Sequence, residues 1–311
     1  MLTALLLLQA AAHSPATTPK SPTEIVAAAP AADWVDIKAD DLLVMQLAPD
    51  RDGKARRAVI QLMPPPFSQP WIANIRTLAK AHWWDGTSIN RVQDNYVVQW
   101  GDATEKKPLP AGMLATKEVD YTQQSKLRRA CDRDVCPAVP EPVRATYQVL
   151  TGDEYAQGVG FGQGWPLAYF ENKTWPVHCY GMIGVGRDLS PNAGNGTELY
   201  TVIGHAPRHL DRNIALVGRV VEGIENLSSL PRGTGNLGFY EKPEQRVTIT
   251  SIRLASELPE AERPRFQYLS TESASFAAYA DARANRHDAF FIVPAGGADI
   301  CNVPVPVRKR P

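Results

Sequence analysis

The sequence predicts a mainly β protein: a closed, eight-stranded antiparallel barrel with capping helices, an irregular insertion and a small α/β extension at its C-terminal end. Three observations predict it. The 311 residues include 22 Gly and 26 Pro, a level that favours many turns and few long helices and argues against bundles and coiled coils. Eight short apolar or alternating runs are punctuated by turn residues, whereas one early segment has clear helical periodicity. Short strands joined by short turns satisfy their edges by closing on themselves, because a closed barrel leaves no edge open to aggregation.

Residues 42–47 and 57–63 read as the first two strands, the second stopped by Pro64, Pro65 and Pro66. Ser68 offers a helix N-cap, with Pro70 in the first turn. Trp71, Ile72, Ile75, Leu78 and Ala79 then share one face of a helix that runs to His82. After the Asp85-Gly86 turn, residues 88–92 and 96–101 are two strands separated by Asp94-Asn95. Residues 178–186, 198–203, 214–221 and 246–254 supply four more. Residues 103–157 change character, with Lys-Lys-Pro, a basic stretch and two cysteines, and read as a surface insertion. Residues 158–164 read as a glycine-rich loop, lacking the helix start and Lys-Ser/Thr that a phosphate cradle requires. In the extension, 256–311, residues 273–286 read as helical and 289–293 as extended.

Residues 1–12 read as an export signal: the apolar run is too short to span a bilayer, and Ala10-Ala11-Ala12 supplies a small-residue cleavage pattern. No Lys or Arg precedes that run. Residues 13–33, rich in Pro, Ala, Ser and Thr, read as a disordered tether before a main domain at 34–255. With the signal removed, no stable membrane insertion is expected. Export implies an oxidising compartment, where Cys131, Cys136, Cys179 and Cys301 suggest two disulfides. Of three pairings, the favoured one joins Cys131 to Cys136 locally and Cys179 to Cys301 across the chain; without export, four free thiols follow. There is no C-x-x-C, so no zinc site is expected.

Lys+Arg and Asp+Glu are 33 each, giving zero formal net charge, and the basic runs are scattered. Nucleic acid is therefore not expected as a partner. His205, His209 and Asp211 have helical metal-ligand spacing, but Pro207 lies between them, so no metal is expected. Ser190 and Ser228 lack the glycine elbow of a hydrolase nucleophile.

A set of ordered motifs resembles the cyclophilin-type peptidyl-prolyl cis-trans isomerases. It runs through Ala58-Val59-Ile60-Gln61-Leu62, the helix with Asn74 and Leu78, Trp84-Asp85-Gly86 and Ile89-Asn90-Arg91-Val92. Tyr96-Val97-Val98-Gln99-Trp100-Gly101-Asp102 is similar to the family's Phe-Met-x-Gln-Gly-Gly-Asp. Residues 181–186 stand where the family has Gly-x-Leu-Ser-Met-Ala, and Gly196-Thr197-Glu198-Leu199-Tyr200 where it has Gly-Ser-Gln-Phe-Phe. His209-Leu210-Asp211 and residues 217–223 close a match over 40–102 and 178–255, nearly half the chain.

The resemblance implies an eight-stranded cyclophilin-like barrel, X-Pro isomerase activity without a cofactor, and proline-containing polypeptide clients. Arg91 takes the place of the catalytic arginine and Gln99 that of the glutamine that orients the substrate backbone. Tyr96, Val97, Tyr200 and Leu210 take the places of the proline pocket walls. Two of these rings gain a hydroxyl and Val97 is smaller than Met, implying a shallower or altered pocket. His209 replaces a rim tryptophan, which argues against tight cyclosporin binding. Glu198 replaces the backbone-binding glutamine, Ile214 a histidine, and Gly186-Arg187-Asp188 the Ala-Asn-Ala edge. These departures keep an alternative open: a catalytically weak or inactive peptide-binding or scaffold module. Export and the cysteines together imply a bacterial periplasmic folding factor.

Overall fold

The computed structural model describes residues 19–124 and 153–310. Helix α1 (Pro22–Ala28) and strand β1 (Trp34–Asp36) precede β2 (Leu42–Leu47), β3 (Arg56–Leu62), helix α2 (Gln69–Lys80), β4 (Ser88–Val92) and β5 (Val97–Gly101). Then come β6 (Gln123–Gln124), β7 (Gly158–Gly162), β8 (Trp165–Phe170) and β9 (Lys173–Pro176). The chain continues through β10 (Met182–Val185), β11 (Leu199–Val202), β12 (Leu216–Glu222), the short helix α3 (Glu225–Ser228) and β13 (Val247–Leu254). Strand β14 (Phe266–Leu269), helix α4 (Ala274–Ala284) and β15 (Val307–Lys309) complete it.

Eight strands close a barrel in the order β10-β11-β5-β4-β13-β2-β3-β12. Every neighbouring pair is antiparallel. They are the eight runs expected from the sequence, with ends moved by up to four residues. Alternation sends Leu43, Met45, Ile60 and Leu62 inward, where Trp71, Ile72, Ile75 and Leu78 of α2 join the same core. The opposite alternation sends Leu42, Val44 and Val59 outward, where Ile37, Ala255 and Phe266 cover them. Two smaller sheets lie outside the barrel, β6-β9-β8-β7 and β1-β14-β15.

Several expectations are corrected. The tether expected to be disordered over 13–33 carries helix α1 from Pro22 and a 3-10 turn at Ala31–Asp33. Ser21 and Glu24 form a reciprocal capping box with Pro22 at the first helical position, and α1 packs on α4. The composition of the segment masked this short start signal. Residues 158–164 are not a loop but strand β7 and the tight turn into β8. Gln163 and Gly164 have φ of +52° and +81°, the two left-handed residues of a hairpin turn. The glycine at 158 lets the Tyr169 ring lie across the strand, since a Cβ there would lie 2.5 Å from the Tyr169 hydroxyl.

Residues 289–293 are turn and bend rather than extended. Phe290 and Ile292 are 84 % and 96 % exposed, and no described strand pairs with them. Ser68 precedes α2 but does not cap it; its left-handed backbone turns Oγ to the Leu216 carbonyl, 2.7 Å away. Cys179 and Cys301 form a disulfide. Cys131, Cys136, the signal at 1–12 and residues 13–18 of the tether lie outside the described residues. Among the described residues no helix is long and apolar enough to cross a membrane.

Candidate active site on the outer barrel face

Cross-strand register gathers the candidate residues on one outward face. Arg91 of β4 pairs with Gln99 of β5, Gln99 with Tyr200 of β11, and Tyr200 with Gly184 of β10. Directly paired residues project to the same side of a sheet. Arg91 reaches that side only through a local irregularity. Ile89 points into the core, and in a regular strand Arg91, two positions on, would follow it. A register shift between Ile89 and Arg91 turns the arginine outward.

The guanidinium is held on three sides. Its Nε donates to the Leu237 carbonyl at 2.7 Å, Nη1 to Gln99 Oε1 at 3.0 Å, and Nη2 to Gln93 Oε1. It lies between two rings, 5.6 Å from the Tyr96 centroid and 5.4 Å from that of Phe239. Burial draws its pKa below the usual guanidinium value, against an upward push from Tyr96, Glu198 and Tyr200. Gln99 passes the chain on, donating through Nε2 to Glu198 Oε2 at 2.8 Å. Burial raises the Glu198 pKa, against the Gln99 bond that lowers it.

Beside this polar chain stands a small apolar cluster. Val97, Tyr200 and Val202 are buried, with Tyr96, Leu210 and Ile214 packed against them. His209 stacks on Tyr96 with ring centroids 6.1 Å apart and planes 9° from parallel. Arg91, Gln99, Tyr96, Val97, Glu198, Tyr200, His209 and Leu210 are thus brought together. The edge Gly186-Arg187-Asp188 adjoins Glu198 across a cavity of about 400 Å³. The arrangement offers a fixed cation next to an apolar cluster.

The sequence left open whether the added Tyr200 hydroxyl makes the pocket shallower or alters its shape. The hydroxyl turns inward to His178 Nε2, 3.0 Å away, so the ring faces the cluster with carbon alone. Gly184 makes room for it, since a Cβ there would meet the tyrosine ring and hydroxyl at 2.3 Å. Sequence reasoning missed Gln93, Leu237 and Phe239 around Arg91, and His178 behind Tyr200. Gln93, two residues after Arg91 along the chain, could have been suspected from alternation; Leu237 and Phe239 arrive from a distant loop and leave no local signal.

Three comparisons bear on the fold and the family. A family model described as cyclophilin-type peptidyl-prolyl cis-trans isomerase/CLD matches residues 70–254. Peptidyl-prolyl cis-trans isomerase CYP23 of Arabidopsis thaliana is 37 % identical over 75 residues, 24 % of this chain and 32 % of the relative. The match therefore spans about a third of that curated relative. The crystal structure of cyclophilin AquaCyp293 from Hirschia baltica superposes with a TM-score of 0.65 at 21 % identity, covering 88 % of this chain and 92 % of the other. With a family model matched over more than half its length and a cyclophilin's barrel beneath it, the chain belongs to the cyclophilin-type peptidyl-prolyl cis-trans isomerase family.

Proposed function

We propose that the protein catalyses cis-trans isomerisation of X-Pro bonds in unfolded or folding exported proteins. Twisting an amide costs ~18–20 kcal/mol because resonance is lost, and no bond to carbon is made or broken. The catalyst needs to hold the proline, exclude water and favour the twisted state. In this reading the cluster of Tyr96, Val97, Tyr200 and Leu210 takes the proline ring, with His209 on its rim. Arg91 donates to the reacting amide, where the nitrogen lone pair and carbonyl change character only on twisting. A donor fixed in advance stabilises that state without reorganising. Gln99, oriented by Glu198, aligns the flanking backbone.

The observation that carries the reading is the fixed Arg91 guanidinium at the lip of that cluster. Guanidinium has five N–H donors. The three bonds from Arg91 leave two free among the described residues. Isomerisation is neutral overall, so no cofactor enters. The Cys179–Cys301 disulfide supports an oxidising, exported setting, the bacterial periplasm in our reading.

The test is exchange of a short X-Pro peptide followed by NMR, wild type beside Arg91→Ala. Acceleration by wild type that is lost in the variant supports the assignment. Perturbed peptide shifts without acceleration would leave a binding module and discard catalysis.

A further inference from the structure

Behind the apolar cluster runs a chain of buried polar side chains that isomerisation itself does not use. Tyr200 Oη lies 3.0 Å from His178 Nε2, and His178 Nδ1 lies 2.8 Å from Asp211 Oδ1. The same oxygen accepts the His178 backbone N–H at 3.0 Å. Asp211 Oδ2 accepts from Arg208 Nε at 2.7 Å, and both Arg208 Nη atoms donate to Asp153 at 2.9 Å. His178, Asp211 and Arg208 are only 1–3 % exposed. Groups so buried are costly unless paired, and here each is paired.

The carboxylates fix the direction of the bonds they accept. Burial pushes the Asp211 carboxyl up, but bonds from His178 and Arg208 outweigh it and hold the pKa below the usual carboxylate range. An ionised Asp211 accepts only, so Nδ1 of His178 carries the proton. In the neutral tautomer this leaves Nε2 as an acceptor, to which the Tyr200 hydroxyl donates. The hydroxyl is consumed inside the protein, and the glycine at 184 leaves room for the ring. Asp211 also follows directly on the turn Arg208–Leu210, which carries His209 and Leu210. One carboxylate therefore holds the floor of the cluster through His178 and its rim through Arg208.

We propose that His178 and Asp211 are positioning residues of the proline pocket, fixing the Tyr200 ring and the turn bearing His209 and Leu210 so that the pocket is formed before a peptide arrives. This rests on the isomerase reading. The proline ring is the same in the cis, trans and twisted states, so its pocket supplies uniform binding and its loss is read in KM. Arg91 acts on the twisted amide alone and is read in kcat.

The experiment measures kcat and KM for the X-Pro peptide in the full chain carrying His178→Leu, His178→Gln or Tyr200→Phe. His178→Leu raises KM roughly tenfold, the size of one net buried hydrogen bond, with kcat within about twofold of wild type. His178→Gln, whose amide donates and accepts, recovers part of that loss. A folded His178→Leu protein with unchanged KM overturns the proposal, as does a loss confined to kcat. Where His178→Leu fails to fold by near-UV circular dichroism, Tyr200→Phe decides. It keeps the ring and deletes the hydroxyl: a raised KM supports the proposal, an unchanged one overturns it. A wild type that does not accelerate exchange ends the isomerase reading alone. The peptide Kd from shift titration then replaces KM for the same variants, a rise supporting positioning and no rise overturning it.

Discussion

Two arginines on the outside of the barrel are built alike and end differently. Arg91 on β4 donates to Gln99 of the neighbouring strand and lies between Tyr96 and Phe239. Arg219 on β12 donates to Gln61 of its neighbouring strand at 2.9 Å and lies between Trp165 and Tyr268, 4.5 and 5.9 Å from their centroids. The difference is the cover. The β7–β8 turn closes over Arg219, offering the Gly164 carbonyl to Nη1 at 2.8 Å, and β14 supplies Tyr268. Its residual exposure is 6 %, Nη2 has no partner among the described residues, and burial lowers its pKa to about 10. Arg91 remains open to a ligand. The same side-chain grouping is thus left partly exposed where the barrel is bare, as our functional reading requires, and is a structural tie where added sheets lie over it. The barrel provides both positions; the β7–β8 hairpin and the extension cover one of them.

The comparison breaks most severely if the cover is released. Cys179 and Cys301 are 122 residues apart, and replacing both by Ser removes about 4–5 kcal/mol in the chain-entropy model. Denaturant melts check this; an unchanged midpoint means packing alone holds the extension. Next, Arg91→Ala lowers kcat/KM by about 10²–10³-fold, the usual loss for one preorganised donor, with little change in melting. NMR exchange beside a thermal melt separates the two. Arg219→Ala has the opposite profile. It orphans Gln61 and Gly164 and costs about 2–3 kcal/mol while kcat per folded molecule stays put. Arg219→Met, which keeps volume and removes a buried charge, costs less than Arg219→Ala. A fall in kcat for either Arg219 variant would erase the distinction between the two sites.

The smallest effect concerns the end of the Arg91 chain. Glu198 is raised from an ordinary 4.5. Between that value and its raised one, the folded state keeps a proton that the unfolded chain has lost. Its contribution to stability therefore falls as pH rises through that window and stays low above it. Glu198→Gln flattens this slope and raises the neutral-pH midpoint slightly, by melts across pH 4–8. The Gln61 arm of Arg219 has no such carboxylate, so Gln61→Glu should introduce a slope where wild type has none.

The barrel was legible because its strands alternate and α2 has a clean apolar face, both local signals. Arg91, Gln99 and the cluster residues were legible because short runs carry them in order. What stayed hidden depends on distance. The register shift that turns Arg91 outward involves β5, and the loop bringing Leu237 and Phe239 lies far along the chain. The inward turn of the Tyr200 hydroxyl needs His178 and Asp211, whose pairing no spacing announces. The Val-Gly-Arg-Val run at 217–220 cannot tell whether its outer face meets water or another sheet. Ser21 and Glu24 were readable as a capping box but were submerged in a Pro- and Ala-rich composition.

In the outer sheet, Trp34 of β1 pairs with Leu269 of β14, whose other edge takes β15 near the C-terminal end. A ribosome makes the first of these strands roughly 230 residues before its partner, and pairings of such sequence separation are the slow ones. The barrel strands and the Arg91 face are complete by residue 254, while Leu42, Val44 and Val59 still wait for Phe266. During synthesis, then, the Arg91 face is complete first and its covering flank on the far side last. Through that interval the nascent chain carries an exposed apolar flank of the kind that invites aggregation or chaperone capture.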